Sequence, residues 1–456
     1  MSAQTDSTIQ TDPMIETQDL YTNFYTFEGA VKALNGVSVK VRRGETYGLV
    51  GESGCGKSVT VRSMMRIVQA PGKIEDGEIR LFLSDDHRKK AIDILDRSEA
   101  YMRSIRGNEI SMIFQEASAS LNPVFTIGFQ VGESFIFHRK AEMIEKTNEA
   151  IAAELERGVP APISWWKRMQ HALFTREHAL LLRYSTRVAE IDRQIDDLEG
   201  AEDPASLRRK KSLKARRERE WKPDLVLSLA KRVPFLKRYQ KRINKTIRGE
   251  VISLLESLGV PNPHNVVDRY PHELSGGMQQ RIVIAIALAC HPTLLIADEP
   301  TSNLDVTIQA QIIELIRRLK ETSIASVLFI THDLGVVAEI CDRVTVMYAG
   351  DTAETAEVAE LFRNPLHPYT QALLSSVPKE EQEGELATIP GTVPNLVNPP
   401  SGCRFHPRCP HAMEICKRQK PPVTEYTPGH SVSCHLYPAP AEEGAPADNS
   451  KESTDG

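Results

Sequence analysis

Three short segments, met in one order along the chain, limit its fold more than any other property. The first is Gly51, Glu52, Ser53, Gly54, Cys55, Gly56, Lys57 and Ser58, with the glycine spacing and final Lys-Ser pair of a loop that cradles phosphate. The last is an apolar run, Leu294 to Ala297, that ends in two adjacent carboxylates, Asp298 and Glu299. Between them stand Leu274, Ser275, Gly276, Gly277, Met278, Gln279, Gln280 and Arg281. Val37–Val41 and Glu45–Val50 read as strands, the second running straight into Gly51, and Val59–Val68 reads as a helix. Strand, glycine loop, helix is the context that a phosphate loop needs. Further strands, Ile110–Phe114, Leu294–Ala297 and Ser326–Ile330, run into Gln115, Asp298 and the Thr331, His332, Asp333 triplet. Open α/β sheets gather their ligands past the C-terminal ends of such strands.

The residue types fit the chemistry of a polyphosphate. Backbone N–H groups reach phosphate oxygens only where no side chain intervenes, hence Gly51, Gly54 and Gly56. The following helix adds its positive end, Lys57 a point charge, and Ser58 a hydroxyl ligand for Mg²⁺. Asp298 is expected to hold Mg²⁺ through water and Glu299 to polarise the attacking water as general base. Adjacent carboxylates in so apolar a run are costly without a compensating cation. Ser275, Gly276 and Gly277 open a helix over Gln279–Leu288, and a hydroxyl with free N–H groups there makes a second anion site. A chance glycine turn, two solvated carboxylates or a plainly capped helix would each explain one segment, but not all three in order. Cys55, beside Lys57 and a helix N-terminus, is expected to favour its thiolate and to be alkylated with loss of activity.

Composition excludes several classes. The chain has 456 residues, enough for two or three domains, and a formal net charge of −5 that gives no global reason to expect nucleic acid. Its longest apolar run, Ile282–Cys290, is about half the length needed to cross a bilayer. The polar N-terminus lacks the layout of a signal peptide, so the chain reads as cytoplasmic.

With the Leu274–Arg281 octet between the other two segments, the chain resembles the ATP-binding-cassette ATPases. Ser120–Gly128, His367–Pro378 and Ile389–Pro410 make it similar, more narrowly, to the ATP-binding subunits of oligopeptide and dipeptide importers. The resemblance implies an α/β fold: a P-loop NTPase cassette with a RecA-like core, an antiparallel β subdomain and a helical signature subdomain, plus a helical insertion and a small Cys-rich C-terminal extension. It assigns Gln115 to Mg²⁺ and the water, His332 to the γ-phosphate, and Asp305, with Ser302 and Asn303, to a dimer interface. An aromatic should stack on adenine; Phe24 is the choice by spacing, Tyr25 the alternative. Two ATP molecules would lie between two such subunits, with Ser275, Gly276 and Gly277 meeting the partner's γ-phosphate. Two transmembrane permease subunits, a second ATP-binding subunit (a paralogue or a copy) and, indirectly, an extracytoplasmic solute-binding protein complete the expected machine, peripheral on the cytoplasmic face of the membrane. An oligosaccharide or nickel importer of the same branch is the alternative, followed by a non-transport cassette ATPase.

The expected domains are a cassette at 14–137 and 250–362, an insertion at 138–249, the extension at 363–437, and disordered tails at 1–13 and 438–456. Within the insertion, Tyr184, Val188, Ile191, Ile195 and Leu198 step by four and three, as along the seam of a helical hairpin. Arg208–Arg248 is heavily basic, Leu225, Leu229, Val233, Leu236, Ile243 and Ile247 mark an apolar side, and Trp165 and Trp166 adjoin Lys167 and Arg168. These suit contact with anionic lipid, or simply a solvated hairpin packed on itself. No nucleic-acid partner is expected. In the extension, Cys403, Cys409, Cys416 and Cys434 crowd a segment with few apolar residues. Clustered cysteines in a reducing compartment suggest zinc or an iron–sulfur cluster, with structural thiols the bland reading. The resemblance implies a [4Fe–4S] cluster.

Overall fold

A computed structural model describes residues 12–83, 91–158, 160–196, 198, 203–219, 237–302, 304–322, 326–377 and 389–437. Most of both expected tails, Asn303, and Leu225, Leu229, Val233 and Leu236 lie outside these residues. The chain forms two compact units, one from the described residues of Met1–Glu116 and His291–Gly456, the other from Ala117–Cys290.

The first unit carries two sheets. β1 (Pro13–Thr26), β2 (Gly29–Arg42), β4 (Gly72–Leu81) and β5 (Ile92–Asp93) form an antiparallel sheet in the order β2-β1-β4-β5. The second sheet has eight strands, and its parallel part consists of β3 (Thr46–Val50), β6 (Ile110–Ile113), β7 (Leu294–Asp298), β8 (Ser326–Thr331) and β9 (Arg343–Tyr348). Every residue of β3, β6, β7 and β8 is buried, the burden of a sheet covered on both faces, and the reason these strands are mostly apolar. β10 (Asp351–Glu357), β11 (Thr424–Thr427) and β12 (His430–Val432) extend the sheet antiparallel beyond β9. One core joins the two sheets, with Met14, Leu20, Val39 and Ile79 from the first, and Tyr47, Leu49, Ile296 and Leu328 from the second.

β1 and β2 are far longer than the strand expected over Val37–Val41. Irregularities in register at Thr17/Leu20 and Thr22/Asn23 interrupt the alternation that sequence reading relies on. The helix after the glycine loop, α1 (Lys57–Met64), stops short of the expected Val68. Arg66 turns to a φ of 51° there, and Arg106 satisfies the exposed end, its Nε donating to the Met65 carbonyl at 2.8 Å and its Nη2 to the Arg66 carbonyl at 3.0 Å.

The second unit is helical: α2 (Ile127–His138), α3 (Lys140–Glu156), α4 (Ala161–Asp196), α5 (Pro204–Arg219), α6 (Lys237–Ser257) and α7 (Gly276–Leu288). Ile191 and Ile195 of the expected seam close on Leu213 of α5, with Leu198 packed alongside. Ile243 and Ile247 are also buried. Ion pairs tie the helices together: Lys140 to Glu177 and Lys167 to Glu154 at 2.8 Å, Arg242 to Glu154 and Lys146 to Glu250 at 2.9 Å.

The C-terminal segment corrects the metal expectation. All four cysteines are free, and among the described residues no group of three or more His, Cys, Asp or Glu side chains is placed to hold a metal ion. The [4Fe–4S] cluster, and zinc with it, is therefore set aside. Cys416 is buried and its Sγ accepts the Met413 N–H at 3.5 Å, and burial pushes the Cys403 thiol up to about 12. Order comes from docking on the sheet. Phe405 packs among Tyr348, Tyr369 and His367 at centroid distances of 5.0, 5.4 and 5.7 Å. Glu354 of β10, fully buried, takes the N–H groups of Leu366 and His367 and lies 2.7 Å from His430 Nε2 of β12.

His367 Nδ1 accepts the Tyr369 N–H at 3.0 Å at the start of the helix Pro368–Ser375, and burial lowers its pKa to about 4. The unfolded chain would take up that proton near pH 6.5, so stability is unaffected above this value and falls as the pH drops toward 4. The slope is at most about 1.4 kcal/mol per pH unit. His367→Asn, which keeps a capping acceptor but cannot titrate, should flatten the fall in unfolding midpoint between pH 6.5 and 4.5, as read by circular dichroism.

Candidate functional site

The site begins where β3 releases the chain into Gly51. A Cβ at Gly51 would lie 2.2 Å from the Met347 carbonyl oxygen, so only glycine lets the loop pass β9. A Cβ at Gly54 would meet nothing within 4 Å, and Ser53 and Gly54 are exposed, leaving the loop backbone open to a ligand. Lys57 is buried, and its Nζ donates to the Gly51 carbonyl at 2.7 Å and the Glu52 carbonyl at 3.1 Å. Gly56 precedes α1 with no side-chain cap, so the first N–H groups of the helix keep their positive end toward the loop.

Cys55 departs from expectation. Its side chain is 1% exposed, and burial pushes its thiol up despite Lys57 Nζ 3.8 Å away. Desolvation outweighs the neighbouring charge, so Cys55 is a packed thiol rather than an exposed thiolate.

Past the strand ends the polar residues converge. Ser58 Oγ donates to Asp298 Oδ1 at 2.9 Å across 240 residues of sequence. Asp298 is fully buried, and burial raises its pKa, with Ser58 and Arg62 acting against this. Its Oδ2 is buried without a hydrogen-bond partner among the described residues. A half-satisfied carboxylate beside a hydroxyl is an oxygen donor set suited to a hard divalent cation, so these residues fit Mg²⁺. Glu299 turns the other way. Gln115 Nε2 donates to its Oε2 at 2.9 Å, and His332 Nδ1 lies 3.3 Å from its Oε1. Glu299 has a φ of 46°, a left-handed conformation, with its N–H held by the Ile330 carbonyl at 2.9 Å.

In the helical unit, Ser275 is exposed and precedes α7, whose first residues are Gly276 and Gly277. Its hydroxyl makes no cap bond to its own helix, unlike the plain capped start weighed from sequence. Asp305, in the first unit, does cap: its Oδ1 accepts the Ile308 N–H at 3.0 Å, at the start of the helix Val306–Thr322. Phe24 lies in β1 against Gly72, where an added Cβ would come within 2.6 Å of its ring, while Tyr25 donates to Glu75 Oε1 at 2.7 Å. Sequence reading missed two residues that touch the loop. Tyr369 accepts the Glu52 N–H through its hydroxyl at 2.9 Å, and Arg408 pairs with the Glu52 carboxylate. They lie 317 and 356 residues from Glu52, within the segments His367–Pro378 and Ile389–Pro410 that carry the resemblance, but no local pattern signals their contact with the loop.

Comparison with known proteins shows the family to which the chain belongs. The ABC transporter family matches residues 34–302, and the family described as oligopeptide/dipeptide transporter, C-terminal region, matches residues 353–416. The chain is similar to the dipeptide transport ATP-binding protein DppD of Bacillus subtilis (strain 168), 36% identical over 97% of this chain and 100% of that protein. It is 37% identical to the oligopeptide transport ATP-binding protein AppD of the same organism, over 95% of this chain and 98% of that one. A solved dimeric ATP-binding cassette in a post-hydrolysis state, bound to ADP and Pi, aligns with a TM-score of 0.46 and 18% identity, covering 76% of this chain and 99% of that chain. A family match over more than half of the chain and relatives similar from end to end lead to one conclusion: this protein is an ATP-binding-cassette ATPase of the ABC transporter family.

Proposed function

We propose that this protein is the subunit whose ATP hydrolysis powers import of oligopeptides or dipeptides through an ABC transporter. The observation that carries the catalytic part is the convergence of Gln115 and His332 on Glu299, one residue beyond the buried Asp298. The peptide assignment rests on the end-to-end likeness to DppD and AppD and on the match over residues 353–416.

In this reading Lys57 leaves its loop carbonyls for the β- and γ-phosphates, and the N–H groups from Gly51 to Ser58 hold the remaining oxygens. Mg²⁺, held by Ser58, Gln115 and Asp298, would supply the charge that stabilises the polyphosphate. Glu299 takes the proton of the attacking water, with Gln115 and His332 fixing its carboxylate and His332 facing the γ-phosphate. Phe24 stacks on adenine. Ser275, Gly276 and Gly277 bind the γ-phosphate held by a partner cassette, and Asp305 lies at that interface. ATP then closes a dimer with a paralogue or a second copy, and closure moves two permease subunits fed by a solute-binding protein. Among the described residues no helix is long and apolar enough to cross a membrane. By its likeness to DppD and AppD, the subunit would act peripherally, at the cytoplasmic face. Residues 138–249 would be an insertion into a cassette formed by 14–137 and 250–362, followed by the extension at 363–437.

Glu299→Gln should retain ATP binding and ATP-driven dimerisation while turnover in the assembled transporter falls by about 100-fold or more. Lys57→Ala should weaken binding itself. Near-normal turnover of the Glu299→Gln protein would remove Glu299 from the catalytic role.

The insertion would also meet anionic lipid, since Arg208, Arg209, Lys211 and Arg216 are exposed along α5. Changing all four to glutamine in the full chain should reduce co-sedimentation with phosphatidylserine vesicles and leave neutral vesicles unaffected. Equal sedimentation of both proteins would make α5 a packing element only.

A further inference from the structure

The segment past the ATPase core reaches back to the phosphate loop at a single residue. Arg408 Nη1 donates to Glu52 Oε2 at 2.8 Å and Nη2 to Oε1 at 3.1 Å, a two-pronged pair that a lysine cannot copy. Its other N–H groups are also satisfied, by the Tyr348 hydroxyl at 3.2 Å, the Pro390 carbonyl at 2.8 Å and the Ile389 carbonyl at 3.3 Å. The side chain is 6% exposed, and the guanidinium lies over the Tyr348 ring, 5.7 Å from its centroid. Glu52 is held at every polar group: its carboxylate by Arg408, its N–H by Tyr369, its carbonyl by Lys57. Apart from Lys57, none of the residues that hold Glu52 belongs to the three motifs that define the cassette.

Glu52 lies within the loop that should receive several negative charges. A bare carboxylate there repels polyphosphate, and a loop free to swing presents its N–H groups poorly. Arg408 answers both problems with one contact.

We propose that Arg408 is a positioning residue for the nucleotide: through Glu52 it fixes the phosphate loop and cancels the carboxylate charge, making the C-terminal extension part of the ATP site. The proposal deepens the reading of Gly51–Ser58 as the phosphate cradle and rests on it. Linkage follows: whatever undocks the extension weakens ATP, and ATP holds the extension down by the same factor.

The test measures Mg-ATP affinity of the full chain by calorimetry, beside its unfolding midpoint. Arg408→Ala should raise the Kd about tenfold. Arg408→Lys should recover only part of the loss. Adding Glu52→Gln to Arg408→Ala should recover most of it, because the unpaired carboxylate is gone. A role confined to anchoring Ile389 and Pro390 would lower the midpoint and would not be rescued from position 52. An unchanged Kd in Arg408→Ala, or a double variant as weak as the single one, overturns the proposal. Where the alanine variant does not fold, Arg408→Gln, which keeps the stem, replaces it in the same comparison. Lys57→Ala is the separate control: if it binds Mg-ATP like the parent chain, the cradle reading itself is wrong.

Discussion

The site depends first on main-chain hydrogen bonding in the parallel part of the large sheet. β3 pairs with β8 so that Val50 faces Thr331, and β7 pairs with β8 so that Asp298 faces Ile330. This register brings the loop, the two carboxylates and His332 level at one edge, although they are spread over nearly 300 residues of sequence. A slip of one residue in β7 would turn Asp298 to the opposite face and separate it from Ser58. Strands buried on both faces prevent such a slip only in aggregate. The hydrogen bond from Ser58 to Asp298 is the local contact that rewards the correct register.

Burial then sets the electrostatics. Asp298 gives up water on a strand with no exposed residue, keeps one oxygen for Ser58 and leaves the other unpartnered among the described residues. A buried carboxylate with one unpaired oxygen is costly unless a cation or a proton compensates it. Glu354 shows the opposite solution in the same sheet: equally buried, it is satisfied by two N–H groups and an imidazole. One carboxylate keeps an unpaired oxygen, and the other closes a joint.

What could be read from sequence was what local pattern encodes. The glycine loop, the strand ends at Gln115 and Asp298, and the seam of Ile191 and Ile195 each depend on a period or a short motif. The long strand β1 was not legible because irregular register breaks its alternation, and the early end of α1 depends on Arg106, which lies far from it in sequence. The cysteine cluster misled for a related reason. Residues 389–437 have few apolar residues of their own, but in the structure they pack against the rest of their unit. They borrow Tyr348, Tyr369 and β10 from the rest of their unit. Arg408 was invisible on the same grounds, since its meaning lies entirely in a partner 356 positions away.

Glu299 is held at a φ of 46°, where a residue with a Cβ pays roughly 1–2 kcal/mol that glycine does not. Selection for thermal endurance alone would therefore weigh this backbone cost against the hydrogen bond from Gln115 and the His332 contact that the Glu299 carboxylate makes in the fold. Relaxing the backbone at residue 299 to make a hardier cassette would give up those two contacts together with the carboxylate.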